Sequence, residues 1–152
     1  MSTAGQPEDA SKTTFLIEDE RACAGLVASF AYYVDHARYE ELADLFTRDG
    51  SFSRPGVSAQ GRQQILECWS LRPITTTVTR HVCTMPVFTA WSETEVKSVS
   101  YATMYSAEPG TGPFPRFKTP AALVEYHDTF GKAAGQWKIS KREVVVVMLG
   151  AP

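Results

Sequence analysis

Histidine is the side chain whose ordinary pKa lies nearest neutrality, so His36, His81 and His127, the three in this chain, are the first candidates for acid–base work. His36 follows Asp35 one helical step round, towards solvent, and reads as a surface residue. His127 stands between Tyr126 and Asp128 in a β-rich run whose face the pattern does not fix; a surface position is the simpler reading. His81 lies early in the first long β-rich run, within Thr77-Val78-Thr79-Arg80-His81-Val82-Cys83. A lone strand histidine is most often a packed or hydrogen-bonded residue, and what draws His81 towards chemistry is Asp35. That carboxylate extends the row Ala24, Ala28, Ala31 at three-and-four spacing, which aims it at the core side of a helix. Left unpaired there, it would cost several kcal/mol or take up a proton. An imidazole reaching it across a pocket is the simplest partner, and the pair makes a base held in one tautomer.

Other chemistries find less support. Cys23, Cys68 and Cys83 are odd in number and widely spaced, which suits reduced, buried thiols in a cytoplasmic protein. No Cys or His pair has zinc-ligand spacing, so no metal site is expected. A net charge of −2 and a pI near 5.9 give no reason to expect nucleic acid or an anionic membrane as partner. No apolar run approaches the roughly 20 residues that span a bilayer, and Met1 to Lys12 lack the apolar core of a secretory signal.

The elements that must position these residues fit one domain, since 152 residues suffice for one buried core and not for two ordinary ones. A disordered tail is expected over residues 1–13 and the domain over 14–152. A helix is expected from Thr14, with Glu18, Asp19 and Glu20 in its first turns, where the helix dipole favours negative charge. Cys23, Ala24, Val27, Phe30, Ala31 and Val34 form its apolar face. A second helix carries Tyr39, Leu42, Leu45 and Phe46 and is expected to stop at Asp49-Gly50; Ser51 to Arg54 reads as a brief strand cut by Pro55-Gly56. Gly61 opens a third helix that buries Ile65, Leu66, Cys68 and Trp69 and ends at Arg72-Pro73. The period then changes to two over Thr76 to Trp91, Thr94 to Ser106, Ala121 to Phe130 and Trp137 to Met148, with turns at Ser92-Glu93 and Lys132 to Gln136. Helices followed by consecutive hairpins imply an α+β fold, a twisted sheet wrapped around the N-terminal helices with a pocket between the layers. The insert Ala107 to Pro120, with four prolines and with Phe114 and Phe117 between them, reads as a lid, a subunit arm or an ordinary long loop. Thr94 to Ser106 and Val144 to Met148 carry apolar residues on both faces, as expected of a sheet whose outer face is covered by a second subunit in a homodimer or homotrimer.

The segment "YYVDHARYEELADLFTRDGSFSR", with "GRQQILECW", "TTVTRHV" and "GQWKISKREV", resembles the SnoaL-like branch of the nuclear-transport-factor-2-like superfamily, in order and spacing, from about Phe15 to Met148. The fold implied is a cone, a strongly curved mixed or antiparallel sheet closed by the helices around a ligand cavity. Within the superfamily the chain is similar to scytalone dehydratase, hexachlorocyclohexane dehydrochlorinase and bile-acid 7α-dehydratase. That similarity implies His81 as general base, Asp35 as the group that holds and stabilises its charged form, and loss of water or halide from a small cyclic or polyketide- or steroid-like substrate without metal or organic cofactor.

The chain departs from those relatives around the implied pocket. Phe30 and Val34 stand where they carry a Lys or Tyr, and Arg54 stands where a strand Tyr is common. Phe52 keeps a pocket aromatic, and Lys141 matches a basic pocket residue of the dehydrochlorinase, with Glu143 on the same face. Arg54 in such a pocket needs a carboxylate, from Glu143 or from the substrate; with Pro55 turning the chain, it reads equally well as reaching solvent. The base is retained while the groups around the leaving group differ. A cofactor-free isomerase or cyclase would use the same base. A non-catalytic binder or an oxygenase partner subunit, as some superfamily members are, would need no such pair.

Overall fold

The computed structural model describes residues 10–73, 76–117 and 119–151, with side chains from residue 17 onward. The tail expected over 1–13 lies outside the described residues as far as residue 9, and helix α1 spans Ala10–Asp35, starting ahead of Thr14. Glu18 to Glu20 therefore fall in mid-helix, where no dipole argument applies. Asp19 instead turns inward, 5% exposed, and its Oδ1 accepts the Trp137 indole N–H at 2.6 Å with Lys132 Nζ at 3.4 Å. The face Cys23, Val27, Phe30, Ala31 and Val34 is buried, whereas Ala28, in the small-residue row leading to Asp35, is exposed.

The end of α1 fixes Asp35. Ala37 adopts the left-handed conformation, φ 54°, and the amides of Ala37 and Arg38 close back on the carbonyls of Val34 and Tyr33. This is the Schellman geometry with alanine where glycine usually stands, and it makes Asp35 the last helical residue.

Helix α2 is Tyr39–Asp44, and strand β1 already begins at Phe46 and runs to Arg54. Asp49-Gly50 thus lies inside a strand and does not stop a helix. Its role is local: a Cβ on Gly50 would sit 3.0 Å from the Ile139 carbonyl oxygen, and the pairing register shifts between Phe46 and Ser51. Glycine here makes the close approach of a bulge, a role that sequence shares with a helix stop. Pro55-Gly56 turns the chain into a short strand not foreseen above, β2 at Val57–Gln60, and α3 follows at Arg62–Ser70.

The run Thr76 to Trp91 is two strands, β3 (Val78–Cys83) and β4 (Val87–Trp91), separated at Pro86, which has no N–H for the ladder. Both pair antiparallel with β5 (Glu95–Ala107), followed by β6 (Ala122–Ala133) and β7 (Gln136–Leu149). Ala134 and Gly135, both at positive φ, form the tight turn between the last two. The sheet order is β2-β1-β7-β6-β5-β3 with β4 also on β5; among the described strands only the β1–β7 pair is parallel. The result is the mixed α+β architecture anticipated, helices packed against a curved sheet, with a core that includes Phe30, Phe46, Phe52, Phe130 and Ile139.

Candidate active site

Asp35 closes α1 and His81 sits at the middle of β3, on its inward face. The Nδ1 of His81 lies 2.7 Å from Asp35 Oδ1, and the His81 backbone N–H donates to Oδ2 at 2.8 Å. Thr79, two residues earlier on the same face, donates its hydroxyl to Oδ1 at 3.1 Å. The Asp35 side chain is 4% exposed and the imidazole 13%. Burial alone would raise the Asp35 pKa; the bonds from the His81 ring, the His81 amide and Thr79 outweigh it and hold the carboxyl below its ordinary 3.8. With Nδ1 committed to Asp35, the remaining ring nitrogen, Nε2, is the one free to act.

His81 lines a cavity of about 380 Å³ between helices and sheet. Phe30, Phe52 and Trp69 form an aromatic wall, with ring centroids 5.4–6.0 Å apart. Tyr126 faces it from β6; burial pushes its phenol well above the ordinary range, so it stays protonated, and its hydroxyl has no partner among the described residues. Of the residues expected around the pocket, Phe30, Val34, Phe52 and Arg54 line this cavity.

Lys141 and Glu143 do not. Both are at least half exposed, on the outer face of β7, where they pair with each other at 3.7 Å. The reason is a bulge: Phe130 is paired with Ile139 but Thr129 with Lys141, so β7 carries one extra residue, Ser140. Strict alternation from Trp137 and Ile139 would turn Lys141 inward; the bulge turns Arg142 inward instead. Arg142 is fully buried, bound bidentate to Asp128 at 2.7 and 2.6 Å, with its guanidinium carbon 4.2 Å from both the Phe30 and Tyr126 ring centroids. Burial works against its charge, and Asp128 more than offsets that. Period-two reading could not find Arg142, but the inward alternation Ala122, Val124, Tyr126, Asp128 was available for Tyr126.

The remaining histidines lie outside this cavity. His127 is exposed and pairs with Glu125 Oε2 at 2.7 Å, and His36 is exposed with Nδ1 2.8 Å from the Tyr32 carbonyl. Burial raises the thiols of all three cysteines, Cys23 to about 12, so none is an activated nucleophile. None of the described residues of the insert lines this cavity: Pro115 and Phe117 line a separate hollow on the outer side of β3 and β5, with Phe117 against Tyr105.

The family model of the SnoaL-like domain matches residues 16–143. The chain belongs to the SnoaL-like domain family. Solved structures similar to this SnoaL-like chain include a Novosphingobium aromaticivorans protein provisionally assigned as a scytalone dehydratase, 25% identical, covering 91% of this chain and 90% of its own, with a TM-score of 0.75. A type 2 hexachlorocyclohexane dehydrochlorinase is 16% identical over 91% of each chain, TM-score 0.76. The β subunit of a protein provisionally assigned as an aromatic-ring-hydroxylating dioxygenase, also from Novosphingobium aromaticivorans, is 16% identical over 90% of this chain and 94% of its own, TM-score 0.73. The last two likenesses are likenesses of fold. A search of curated protein sequences finds no match. Among the described residues no helix is long and apolar enough to cross a membrane.

Proposed function

We propose that this SnoaL-like protein is a cofactor-independent lyase that eliminates water or a related leaving group from a small cyclic, polyketide- or steroid-like molecule. The observation that carries the reading is the 2.7 Å contact between His81 and Asp35 at the wall of a largely aromatic and aliphatic cavity. Asp35 accepts a hydrogen bond from Nδ1–H, which leaves Nε2 with its lone pair for the substrate. Nε2 abstracts a proton from carbon, that C–H electron pair becomes the new double bond, and the bond to the leaving oxygen breaks. The Tyr126 hydroxyl supplies the proton that lets the oxygen depart as water. The Arg142 charge stacked under the phenol ring lowers the cost of the phenolate that this transfer leaves. Asp35 meanwhile stabilises the imidazolium. Similarity to the scytalone dehydratase-like structure supports the reaction class.

The second reading, a non-catalytic partner subunit, draws on the likeness to the dioxygenase β subunit; an isomerase or cyclase would share the same first step. The test is a screen of cyclic ketones and β-hydroxy ketones in heavy water. Loss of the acidic C–H signal in proton NMR reports abstraction by an isomerase and a lyase alike, and appearance of the alkene identifies the lyase. Exchange that persists in His81→Ala would refute the assignment of the base, and no exchange with any compound would favour the partner-subunit reading.

A further inference from the structure

Two arginines line the His81 cavity, the exposed Arg54 and the partly buried Arg72, and among the described residues neither is paired with a carboxylate. Arg54 ends β1 and Arg72 follows the last turn of α3. Among the described residues the arginine ion pairs are Arg38–Glu41, Arg62–Asp44 and Arg142–Asp128. Glu143, the partner expected for Arg54, is held by Lys141 on the other face of β7. The two guanidiniums belong to one region: both line this cavity, and Arg72 lies 5.4 Å from the ring centroid of Trp69, itself in the aromatic wall. The cavity wall otherwise holds aromatic and aliphatic side chains and the imidazole of His81, and not one Asp or Glu.

We infer that the ligand of this cavity carries an oxyanion, a carboxylate or a phosphate ester, on an apolar ring-bearing body, and that Arg54 and Arg72 bind it. The inference rests on the reading of the cavity as a substrate site and names the substrate's class. Guanidinium forks match planar or tetrahedral oxyanions through paired, charge-assisted bonds, and among the described residues neither arginine must first give up a carboxylate. The aromatic side chains that line the same cavity take the rings, so the anion is anchored by the arginines while the carbon acid meets Nε2. Binding energy from a remote charged group orients the reacting carbon without taking part in the chemistry.

The experiment is calorimetric binding of 2-naphthoate, 2-naphthyl phosphate and the neutral 2-naphthalenemethanol to the full chain, its Arg54→Gln, Arg72→Gln and double variants, and His81→Ala. The better anion should bind at least about tenfold more tightly than the alcohol, and the tighter of the two identifies the oxyanion. That preference should shrink between about 50 mM and about 500 mM salt. Each single variant should cut it several-fold and the double variant erase it. Alcohol binding should stay unchanged, which also shows that the variants are folded. His81→Ala should keep the preference. Equal affinity for anions and alcohol, or a preference that survives loss of both arginines, overturns the inference. So does a preference lost in His81→Ala alone, which would give the anion to the imidazolium. Because binding is read without turnover, the arginine inference can fail while His81 remains the base, and the reverse.

Discussion

Replacing Asp35 by Asn changes one atom's chemistry and almost no volume, and the geometry dictates how the variant responds. The carboxylate accepts three hydrogen bonds: the His81 ring N–H and the Thr79 hydroxyl on Oδ1, and the His81 backbone N–H on Oδ2. An amide has one oxygen and one NH₂, so two arrangements are open. If the NH₂ faces the backbone N–H, two donors meet in a buried site, at about 1–3 kcal/mol. If it faces the ring, Nδ1 must become an acceptor and the ring proton moves to Nε2. The ring can change tautomer and the backbone amide cannot, so the second arrangement wins. The base is then lost with the fold intact. Losing the correct tautomer costs about 10⁴ in turnover at other histidine-based sites, and a similar fall is expected here. Stability should drop by no more than about 2 kcal/mol, the difference between charge-assisted and neutral bonds.

Two assays separate the parts of that argument. Nitrogen-15 NMR of the imidazole at alkaline pH should show the proton on Nδ1 in the parent and on Nε2 in Asp35→Asn, with no substrate needed. Unfolding against pH tests the charge. Asp35's folded pKa lies below its ordinary 3.8, so between the two values the unfolded chain binds more protons and stability rises with pH. The carboxylate's contribution is complete above about pH 4 to 5 and is lost as pH falls through the lower, folded value. The stability gap between parent and Asp35→Asn should therefore close in acid. A gap that stays constant from about pH 5 to about pH 2, or an Nδ1–H tautomer retained in the variant, would refute the reasoning.

Arg142→Met should destabilise the protein by about 3–5 kcal/mol in urea titration, because Asp128 is left charged and fully buried, and adding Asp128→Leu should restore much of the loss; a single variant as stable as the parent would show that the pair carries no buried charge. Ala37→Gly should stabilise by about 0.5–1 kcal/mol in thermal unfolding, since Ala37 sits at φ 54° where glycine has no Cβ strain and only part of the gain returns as unfolded-chain entropy. We propose that the outer sheet face, where Val82, Val87, Tyr101 and Val147 are about half exposed or more, is covered in a homodimer or homotrimer. Light scattering at micromolar concentration should give two or three times the chain mass, and a monomer would count against it.

What the sequence could reveal followed from how locally each feature is encoded. The helix face through Cys23, Val27, Phe30 and Val34 and the period-two runs that became β5, β6 and β7 are patterns read over a dozen residues, and they carried the α+β class. Asp35 was legible as an inward carboxylate at a helix end even though Ala28, in the row that pointed to it, faces solvent. What failed was everything that depends on a partner strand. Asp49-Gly50 reads as a stop until β7 is placed 3.0 Å from where a Cβ on Gly50 would lie. Lys141 reads as inward until Phe130 pairs with Ile139 and leaves Ser140 extra. A bulge spends one residue without leaving a local mark, and every side chain beyond it changes face. That single inserted residue has a large chemical consequence. It places Arg142 rather than Lys141 behind the aromatic wall, sealed against Asp128 between two rings, and leaves Glu143 outside with Lys141. Arg54 thereby loses its expected carboxylate, so the same bulge that buries one guanidinium leaves another, among the described residues, without an ion pair at the cavity where the ligand inferred above would bind.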